Sequence, residues 1–236
     1  MQWVDETGST NADLLASARA GAPAQTVLVA DHQTAGRGRL GRRWQAPPGG
    51  SLLASLLFLA PTTDGLHRYT QAIGLAAGDA CREIAGVTTS LKWPNDLMVG
   101  ERKLAGVLAE SASTPSGEIA VVVGIGLNVN WPSPLPDDLA ATMTALNLEA
   151  GRDVDRGDIL HAILRALDAI DWSHLVERYR HALGTLGRRV RIEQADEAFE
   201  GVAVDVQADG RLLVRTADGD REVTTGDVVH LRDTAR

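Results

Sequence analysis

The order of apolar runs and helically spaced residues predicts an α+β protein. Residues 26–31 (TVLVAD), 51–60 (SLLASLLFLA) and 118–131 are apolar runs of strand length. Apolar residues recur at helical spacing over 67–85, and residues 90–111 predict three strands separated by two turns. Strands and hairpins mixed with helices in this way predict a mixed sheet with covering helices.

The remaining segments of the first 185 residues predict helices and one long loop. Residues 9–11 (Ser-Thr-Asn) form an N-cap signal before a short Ala/Leu-rich helix that ends near Gly21. The proline-rich and acidic residues 131–140 predict a loop, and residues 156–183 predict one or two helices.

The pattern changes near Arg188, where short strands of alternating polarity are separated by Asp-Gly and Gly-Asp turns. Five such strands predict a small barrel of the SH3-like type, joined to the rest at Gly184 and Gly187. We therefore divide the chain into residues 1–185, a catalytic domain, and residues 186–236, the small barrel.

Charge and cysteine content narrow the function classes. The 236 residues carry a formal net charge of −8, which argues against general binding to nucleic acids or anionic membranes. Cys81 is the sole cysteine and lies in an apolar run, so we expect a core residue rather than a nucleophile. The chain starts without a signal pattern, and its apolar stretches are too short to cross a bilayer, so we expect a cytoplasmic protein.

One loop departs from the acidic character of the chain. Residues 36–44 (GRGRLGRRW) hold four arginines and three glycines directly after a predicted strand. The pattern G-x-G-x-x-G fits a dinucleotide-binding turn, but that fold requires a helix next, and RRWQAPPGG cannot form one. A phosphate-binding P-loop is excluded as well, because no Gly-Lys-Ser/Thr follows.

Two interpretations of residues 36–44 remain. An arginine-rich arm could neutralise nucleic-acid phosphates while Trp44 stacks on a base, although the acidic body would confine that surface to one loop. Alternatively, the loop closes over a small ligand that carries a carboxylate and a phosphate, since arginines supply forked donors to both groups. We favour the second interpretation and expect the empty loop to be mobile.

Lysine is almost absent from this chain. Of its 23 lysine and arginine residues, only Lys92 and Lys103 are lysines, and the first belongs to the motif KWPND. The predicted hairpin can bring both lysines and Asp96 to one end of the sheet. A compact ammonium group can bind a single oxygen atom at a position that the planar guanidinium of arginine cannot reach.

Five motifs together resemble those of the biotin–protein ligases, and with the small barrel the resemblance covers nearly the whole chain. They are GSTN (8–11), DHQTAGRGRLGRRW (31–44), KWPNDL (92–97), RKLAGVLAE (102–110) and GIGLNVN (124–130). The resemblance implies a catalytic domain like those of class II aminoacyl-tRNA synthetases and biotin ligases. It also implies that biotin and ATP form biotinyl-5′-AMP, with Mg²⁺ on the nucleotide, before biotin passes to a lysine of a carrier protein.

The resemblance assigns biotin contacts by motif position. Ser9, Thr10 and Gln33 would bind the ureido end, and Asn11 would help to shape that pocket. Arg37 and Lys103 would bind the reacting carboxylate and the α-phosphate, while the backbone of Gly36 and Gly106 would line the biotin chain.

The resemblance also assigns nucleotide contacts and the catalytic residues. Nucleotide contacts would come from Arg39, Arg42, Trp44, Lys92, Asn95 and Asn128, the last near the ribose or adenine. The catalytic residues would be Arg37, Arg39, Lys103 and Asp96. Asp96 is also the candidate partner for the attacking lysine amine and the one candidate protein ligand for Mg²⁺.

The expected partner is the biotin carboxyl carrier domain of acetyl-CoA, propionyl-CoA or pyruvate carboxylase. The chain starts within the first strand, so we expect a ligase without the DNA-binding domain of some relatives, acting as a monomer or homodimer without DNA or membrane. One alternative is a lipoate- or octanoyl-transferring relative with the same sheet, although residues 36–44 favour biotin. A nucleic-acid-binding module is the other alternative.

Overall fold

A computed structural model describes residues 1–231, which form a seven-stranded sheet with helices and a second, five-stranded sheet. The strands of the first sheet are β1 (Gln2–Thr7), β2 (Val27–Gln33), β3 (Ser51–Ala60), β4 (Ser90–Lys92), β5 (Asp96–Val99), β6 (Arg102–Ser113) and β7 (Ile119–Asn128). The predicted α+β class is therefore confirmed, and the predicted strand at 51–60 has the observed bounds.

The large sheet is mixed. Its order is β1-β2-β3-β7-β6-β5-β4, with β1 and β2 parallel and every other pair antiparallel. The central pair, β3 and β7, stays in register over the whole length of β3, from Ser51 opposite Asn128 to Ala60 opposite Ile119. Apolar side chains on both faces of this pair are buried, which explains why β3 is a continuous apolar run.

Helices cover this sheet. They are α1 (Thr10–Arg19), α2 (His67–Ala85), α3 (Asp137–Ala140), α4 (Leu146–Ala150), α5 (Arg156–Asp168) and α6 (Leu175–Ala182). Ser9 caps α1 as predicted, and α2 has the predicted bounds and ends at Gly86 in a left-handed conformation. The prediction of a loop for 131–140 is wrong in part, because Asp137 and Asp138 lie in the first turn of α3 after Pro136.

The C-terminal strands form the second sheet. They are β8 (Arg189–Glu193), β9 (Ala198–Val206), β10 (Leu212–Thr216), β11 (Gly219–Val223) and β12 (Asp227–His230). All pairs are antiparallel, in the order β11-β10-β9-β8-β12. Five strands were predicted here, and five are present; the last five residues of the predicted barrel, 232–236, lie outside the described part of the chain.

The two sheets are packed against each other. Buried side chains of both belong to one hydrophobic cluster, which contains Leu91 and Leu183 as well as Ile192 and Val214. Hydrogen bonds also cross the junction: Trp93 Nε1 donates to the carbonyl of Gly210 at 3.0 Å. The C-terminal sheet is therefore held in a fixed position beside the β4–β5 hairpin. The predicted division into residues 1–185 and 186–236 stays a prediction.

Two predictions concerned single features, the burial of Cys81 and the length of the apolar stretches. Cys81 is fully buried, and burial raises the pKa of its thiol to about 12, so it is a core residue as predicted. Among the helices of residues 1–231, none combines the length and the apolar character needed to cross a membrane.

Candidate functional site

A cavity of about 400 Å³ lies at one end of the large sheet, between the loop 36–44 and the β4–β5 hairpin. The lining includes all but two of the predicted site residues, namely Ser9, Thr10, Asn11, Gln33, Arg37, Arg39, Arg42, Trp44, Lys92, Asn95, Asp96, Lys103 and Gly106. Tertiary structure thus gathers motifs that are up to about a hundred residues apart into one site.

The deep end of the cavity is polar and buried. Ser9, Thr10 and Asn11 begin α1 and are each 4% exposed. Gln33 Oε1 accepts hydrogen bonds from the Thr10 amide at 2.8 Å and from its hydroxyl at 3.0 Å. Ser9 Oγ accepts from the Ala12 amide as the N-cap, and no residue among 1–231 takes its hydroxyl proton. The deep end therefore offers a hydroxyl donor to a ligand.

Asn11 is oriented from both ends of its amide. Its Oδ1 accepts from the buried Ser55 hydroxyl at 2.6 Å, and its Nδ2 donates to Glu110 Oε2 at 2.9 Å. Gly124 leaves the space for this side chain, since a Cβ there would lie 2.2 Å from Asn11 Oδ1. Ser55 and Glu110 were not predicted: Ser55 is a serine in an apolar strand outside the motifs, and Glu110 ends the motif RKLAGVLAE without a role assigned to it.

The loop 36–44 is a small hairpin. The amide of Trp44 donates to the carbonyl of Gly36 at 3.1 Å, and that of Gly38 donates to the carbonyl of Arg42 at 2.7 Å. Leu40 at its tip has a φ of 55°, in the left-handed region, and is 63% exposed. The expected mobility of the empty loop stays a prediction.

Each of three loop arginines has an anchor outside the loop. Arg37 Nη1 donates to Glu110 Oε1 at 2.8 Å, and Arg39 Nη1 donates to Asn95 Oδ1 at 3.2 Å. Arg42 forms an ion pair with Asp227 of the C-terminal sheet. Burial lowers the pKa of Arg39 while Asp227 opposes that shift, and the guanidinium keeps its charge.

Trp44 packs on two glycines of the sheet. A Cβ on Gly126 would lie 2.4 Å from the indole, and a Cβ on Gly106 would lie 3.1 Å from it. Lys103 Nζ lies 5.6 Å from the centre of the ring, within the range of a cation–π interaction. Trp44 therefore covers a strip of sheet that is kept flat by glycine.

The β4–β5 hairpin brings the two lysines and one carboxylate together, as predicted. Lys92 lies opposite Asp96 in the strand register, and Lys103 Nζ lies 2.6 Å from Asp96 Oδ1. Asn95 is fixed beside them because its Nδ2 donates to the carbonyl of Val107 at 2.8 Å.

Two predicted residues are outside the cavity lining. Gly36 is buried in the loop, where a Cβ would lie 2.5 Å from the carbonyl oxygen of Trp44. Asn128 is 3% exposed; it accepts from the Ser51 hydroxyl and donates to the carbonyl of Thr144 at 3.0 Å. The geometry gives both residues a structural role, and the predicted contact of Asn128 with ribose or adenine is not favoured by it.

The C-terminal sheet contributes a wall that was not predicted. Glu193, Asp227, Val228 and Val229 line the cavity opposite the loop. No sequence signal marks these residues, because short alternating strands have the same pattern whether or not they face a site.

The carboxylates of this cavity do not form a metal-binding cluster. Residues 1–231 contain no group of three or more His, Cys, Asp or Glu side chains arranged to hold a metal ion. Asp96 faces the cavity, but Lys103 already pairs with it. A Mg²⁺ ion would therefore have to be bound chiefly through ligand phosphates, which is the way Mg²⁺ commonly binds with nucleotides.

Comparisons with known proteins match this geometry. Residues 5–130 match the family model described as the Biotin/lipoate A/B protein ligase family, and residues 185–231 match the model described as the Biotin protein ligase C terminal domain. The biotin–[acetyl-CoA-carboxylase] ligase of Mycobacterium tuberculosis is 39% identical over 97% of this chain and 88% of its own length.

Two further proteins extend the similarity. The biotin–[acetyl-CoA-carboxylase] ligase of Paracoccus denitrificans is 29% identical over 94% of this chain and 97% of its own. The structure of the Aquifex aeolicus biotin protein ligase in complex with biotin and ATP superposes with a TM-score of 0.81, at 30% identity and 98% coverage of both chains. The sequence and the fold of this chain thus indicate the same family, and the chain belongs to the biotin/lipoate A/B protein ligase family.

Proposed function

We propose that this protein is an ATP-dependent biotin–protein ligase, which activates biotin as biotinyl-5′-AMP and transfers it to a lysine of a carrier domain. The observation that carries the proposal is a single cavity with a buried hydrogen-bonding end and a cationic end. The M. tuberculosis and P. denitrificans relatives, whose names state this activity toward acetyl-CoA carboxylase, support it.

The buried end favours biotin over a lipoyl or octanoyl group. The ureido ring of biotin has a carbonyl and two N–H groups, which Ser9, Thr10 and Gln33 can pair. An alkyl or dithiolane tail has no such groups, so it would leave these polar atoms desolvated without a partner. Each unpaired buried group costs about 1–3 kcal/mol, which gives a strong preference.

The part of the site between its two ends suits the hydrocarbon chain of biotin. The backbone of Gly106 borders this part, and the Trp44 indole packs above it. Gly36 contributes by allowing the loop to close, since any side chain there would collide with the Trp44 carbonyl.

The cationic end carries the first step. Arg37 and Lys103 bind the biotin carboxylate and the α-phosphate, while Arg39, Arg42 and Lys92 bind the remaining phosphates. A carboxylate oxygen attacks the α-phosphorus, the bond from that phosphorus to the bridging oxygen breaks, and pyrophosphate leaves. The cations lower the barrier by neutralising the charge that develops on the phosphates.

The second step needs a base near the acyl carbon of biotinyl-5′-AMP. A carrier lysine amine attacks the acyl carbon, its C–N bond forms, the acyl–oxygen bond breaks, and AMP leaves. Asp96, the carboxylate beside Lys103, accepts the amine proton, and Asn95 orients the amine beside it. Mg²⁺, bound through the phosphates and at most Asp96, would supply further neutralisation of phosphate charge.

The carrier domain of acetyl-CoA, propionyl-CoA or pyruvate carboxylase is the proposed acceptor. The purified chain, biotin, MgATP and a carrier domain should together give a carrier that streptavidin detects. Omission of ATP should abolish the signal. If the carrier gains no biotin and lipoyl or octanoyl groups are transferred instead, the protein is a lipoate- or octanoyl-transferring member of the family.

A further inference from the structure

The C-terminal sheet meets the arginine loop at a single turn. β12 begins at Asp227, directly after Thr225 and Gly226, and the start of this strand borders the cavity. The loop 36–44 reaches across the cavity to this turn. The segment Thr225–Asp227, named the C-terminal turn, is therefore the point where the second sheet contacts the arginine loop.

Two arginines of the loop bind the C-terminal turn. Arg42 donates through both terminal nitrogens to the two carboxylate oxygens of Asp227, with Nη1–Oδ1 at 3.3 Å. Arg39 Nη2 donates to Thr225 Oγ1 at 3.3 Å, and its Nη1 donates to the carbonyl of Gly226 at 3.4 Å. The fork geometry of Arg42 on Asp227 is the strongest arrangement that these two side chains can make.

The C-terminal turn is itself rigid. Gln194 Nε2 donates to the carbonyl of Thr225 at 2.7 Å, and Gly226 has a φ of 152°. A Cβ on Gly226 would lie 3.0 Å from the carbonyl oxygen of Glu193, so glycine lets the turn pack closely on β8. The sheet behind the turn is hydrogen-bonded to the β4–β5 hairpin through Trp93, so the turn is an anchor for the loop that is supported on both sides.

The same two arginines are the proposed ligands of the β- and γ-phosphates. Pyrophosphate leaves after the first step, and its departure removes an anionic partner from Arg42 while the reactive anhydride is still bound. Asp227 is an anion of this chain that pairs with Arg42.

We propose that the C-terminal turn is a latch, which holds the loop 36–44 closed over biotinyl-5′-AMP between pyrophosphate release and transfer. This inference rests on the proposed function and assigns the C-terminal sheet a part in it. Arg42 exchanges between phosphate and Asp227, so the loop stays shut when the phosphates are gone. Thr225 and Asp227 are positioning residues, since they act on the adenylate through the loop arginines.

The first experiment measures retention of the adenylate. Wild type and Asp227→Asn are loaded with labelled biotin, MgATP and pyrophosphatase, and release of biotinyl-5′-AMP is followed without a carrier. The side chains of Arg42 and Asp227 are 64% and 26% exposed, which limits the pair to a modest energy. Release should accelerate about three- to five-fold, while the rate of adenylate formation should change less than about two-fold.

Asp220→Asn is the matched control. Asp220 belongs to the same sheet and pairs with Arg215 at 2.9 Å, but it is not part of the cavity lining. It removes the same charge from the same sheet and should leave release unchanged. Equal acceleration in both variants, or no acceleration in Asp227→Asn, would overturn the latch.

A double-mutant cycle tests whether Asp227 acts through Arg42. Arg42→Gln removes the fork, so Asp227→Asn should add nothing to the release rate in that background. Additive effects of the two substitutions would show that Asp227 acts by another route, and the latch would be rejected.

Limited trypsin digestion of the ligand-free protein gives a readout that does not depend on activity. Trypsin cleaves after arginine, and the loop offers Arg37, Arg39, Arg42 and Arg43. Cleavage mapped to residues 37–43 should be faster in Asp227→Asn than in wild type and in Asp220→Asn. If wild type forms no adenylate, the proposed function fails. If it does form adenylate and neither release nor cleavage changes in Asp227→Asn, the latch alone fails.

Discussion

Lys103 places its ammonium group among a carboxylate, a glycine backbone and an indole ring. Its Nζ lies 2.6 Å from Asp96 Oδ1, and a Cβ on the adjacent Gly106 would be 3.1 Å from Nζ. The centre of the Trp44 ring lies 5.6 Å from Nζ. The scarcity of lysine elsewhere in this arginine-rich chain therefore has a geometric reason at this position, because a planar guanidinium is both larger and differently directed.

Lys103→Arg should abolish adenylate formation even though the charge is kept. We expect a loss of at least about 100-fold in the rate of pyrophosphate release, as for removal of a donor to a developing charge. The melting temperature should stay within a few degrees of wild type, because the residue is partly exposed. Near-normal pyrophosphate release in this variant would mean that position 103 requires charge alone.

Glu110 connects two parts of the site that the sequence motifs treat separately. One carboxylate oxygen accepts from Arg37 of the loop, and the other accepts from Asn11 at the buried end of the cavity. Closure of the loop and the orientation of the buried amide thus depend on the same side chain.

Glu110→Gln should weaken biotin binding more than ATP binding. The glutamine side chain has one oxygen, so it can accept a hydrogen bond from Arg37 or from Asn11 but not from both. It also lacks the negative charge that pairs with the Arg37 guanidinium. We expect the KM for biotin to rise about ten-fold and the KM for ATP to change less than about two-fold, in pyrophosphate-release kinetics. Glu118→Gln, a change at an exposed site before β7, is the control and should match wild type; equal rises for both substrates would contradict this role.

At the level of elements, β6 and β7 carry glycine where the site needs a flat surface. Gly106 of β6 lies opposite Gly126 of β7, and Gly124 is two residues before Gly126 on the same strand. Side chains from α1 and the loop occupy the space above these three glycines. The pattern GIGLNVN therefore does not mark a tight turn. It marks a strand whose missing side chains make room for Asn11 and Trp44.

Gly126→Ala should displace the Trp44 indole. The new Cβ would lie 2.4 Å from a ring carbon, so the ring or the loop has to move, at a cost of about 1–3 kcal/mol. We expect about ten-fold faster release of biotinyl-5′-AMP, measured with labelled biotin. Gly8→Ala has open space around its Cβ and is the control; equal release from both variants would show that the indole is not confined by this strand.

At the scale of the whole molecule, the two sheets depend on each other. His230 of β12 lies at their junction, where Arg188 Nη1 donates to Nδ1 at 3.1 Å and the Thr185 hydroxyl lies 3.2 Å from Nε2. Burial, together with Lys92 and Arg188, lowers the pKa of His230 to about 4. The folded protein therefore holds this imidazole neutral.

Acidification should destabilise the fold through this group. The unfolded chain takes up the proton near pH 6.5 and the folded chain near pH 4, so the stabilisation is complete above 6.5 and is lost as the pH falls towards 4. His230→Asn should be less stable than wild type by about 1 kcal/mol at pH 7, through altered hydrogen bonds. In urea unfolding, that difference should change sign at pH 4.5, because each pH unit between 6.5 and the folded pKa costs the wild-type fold about 1.4 kcal/mol and the asparagine variant nothing; a constant difference would show that His230 does not titrate in this window.

The sequence by itself determined most of the elements, the motifs and most of the predicted residues that line the cavity. Apolar periodicity reflects burial directly, which is why β3 and α2 were predicted with their observed bounds. The site motifs could be recognised because the chemistry requires particular residue types at fixed positions. The short α3 was missed because proline and aspartate favour both a turn and the start of a helix.

Only the tertiary structure decided which strand faces which neighbour. Glu110, Ser55 and Asp227 become parts of the site through contacts between residues far apart in the chain, and no local pattern encodes such contacts. Asn128, by contrast, lies in a motif, yet its amide group is hydrogen-bonded to Ser51 and Thr144. A motif fixes the type of residue, whereas hydrogen bonding and packing around it decide whether the side chain is free to meet a ligand.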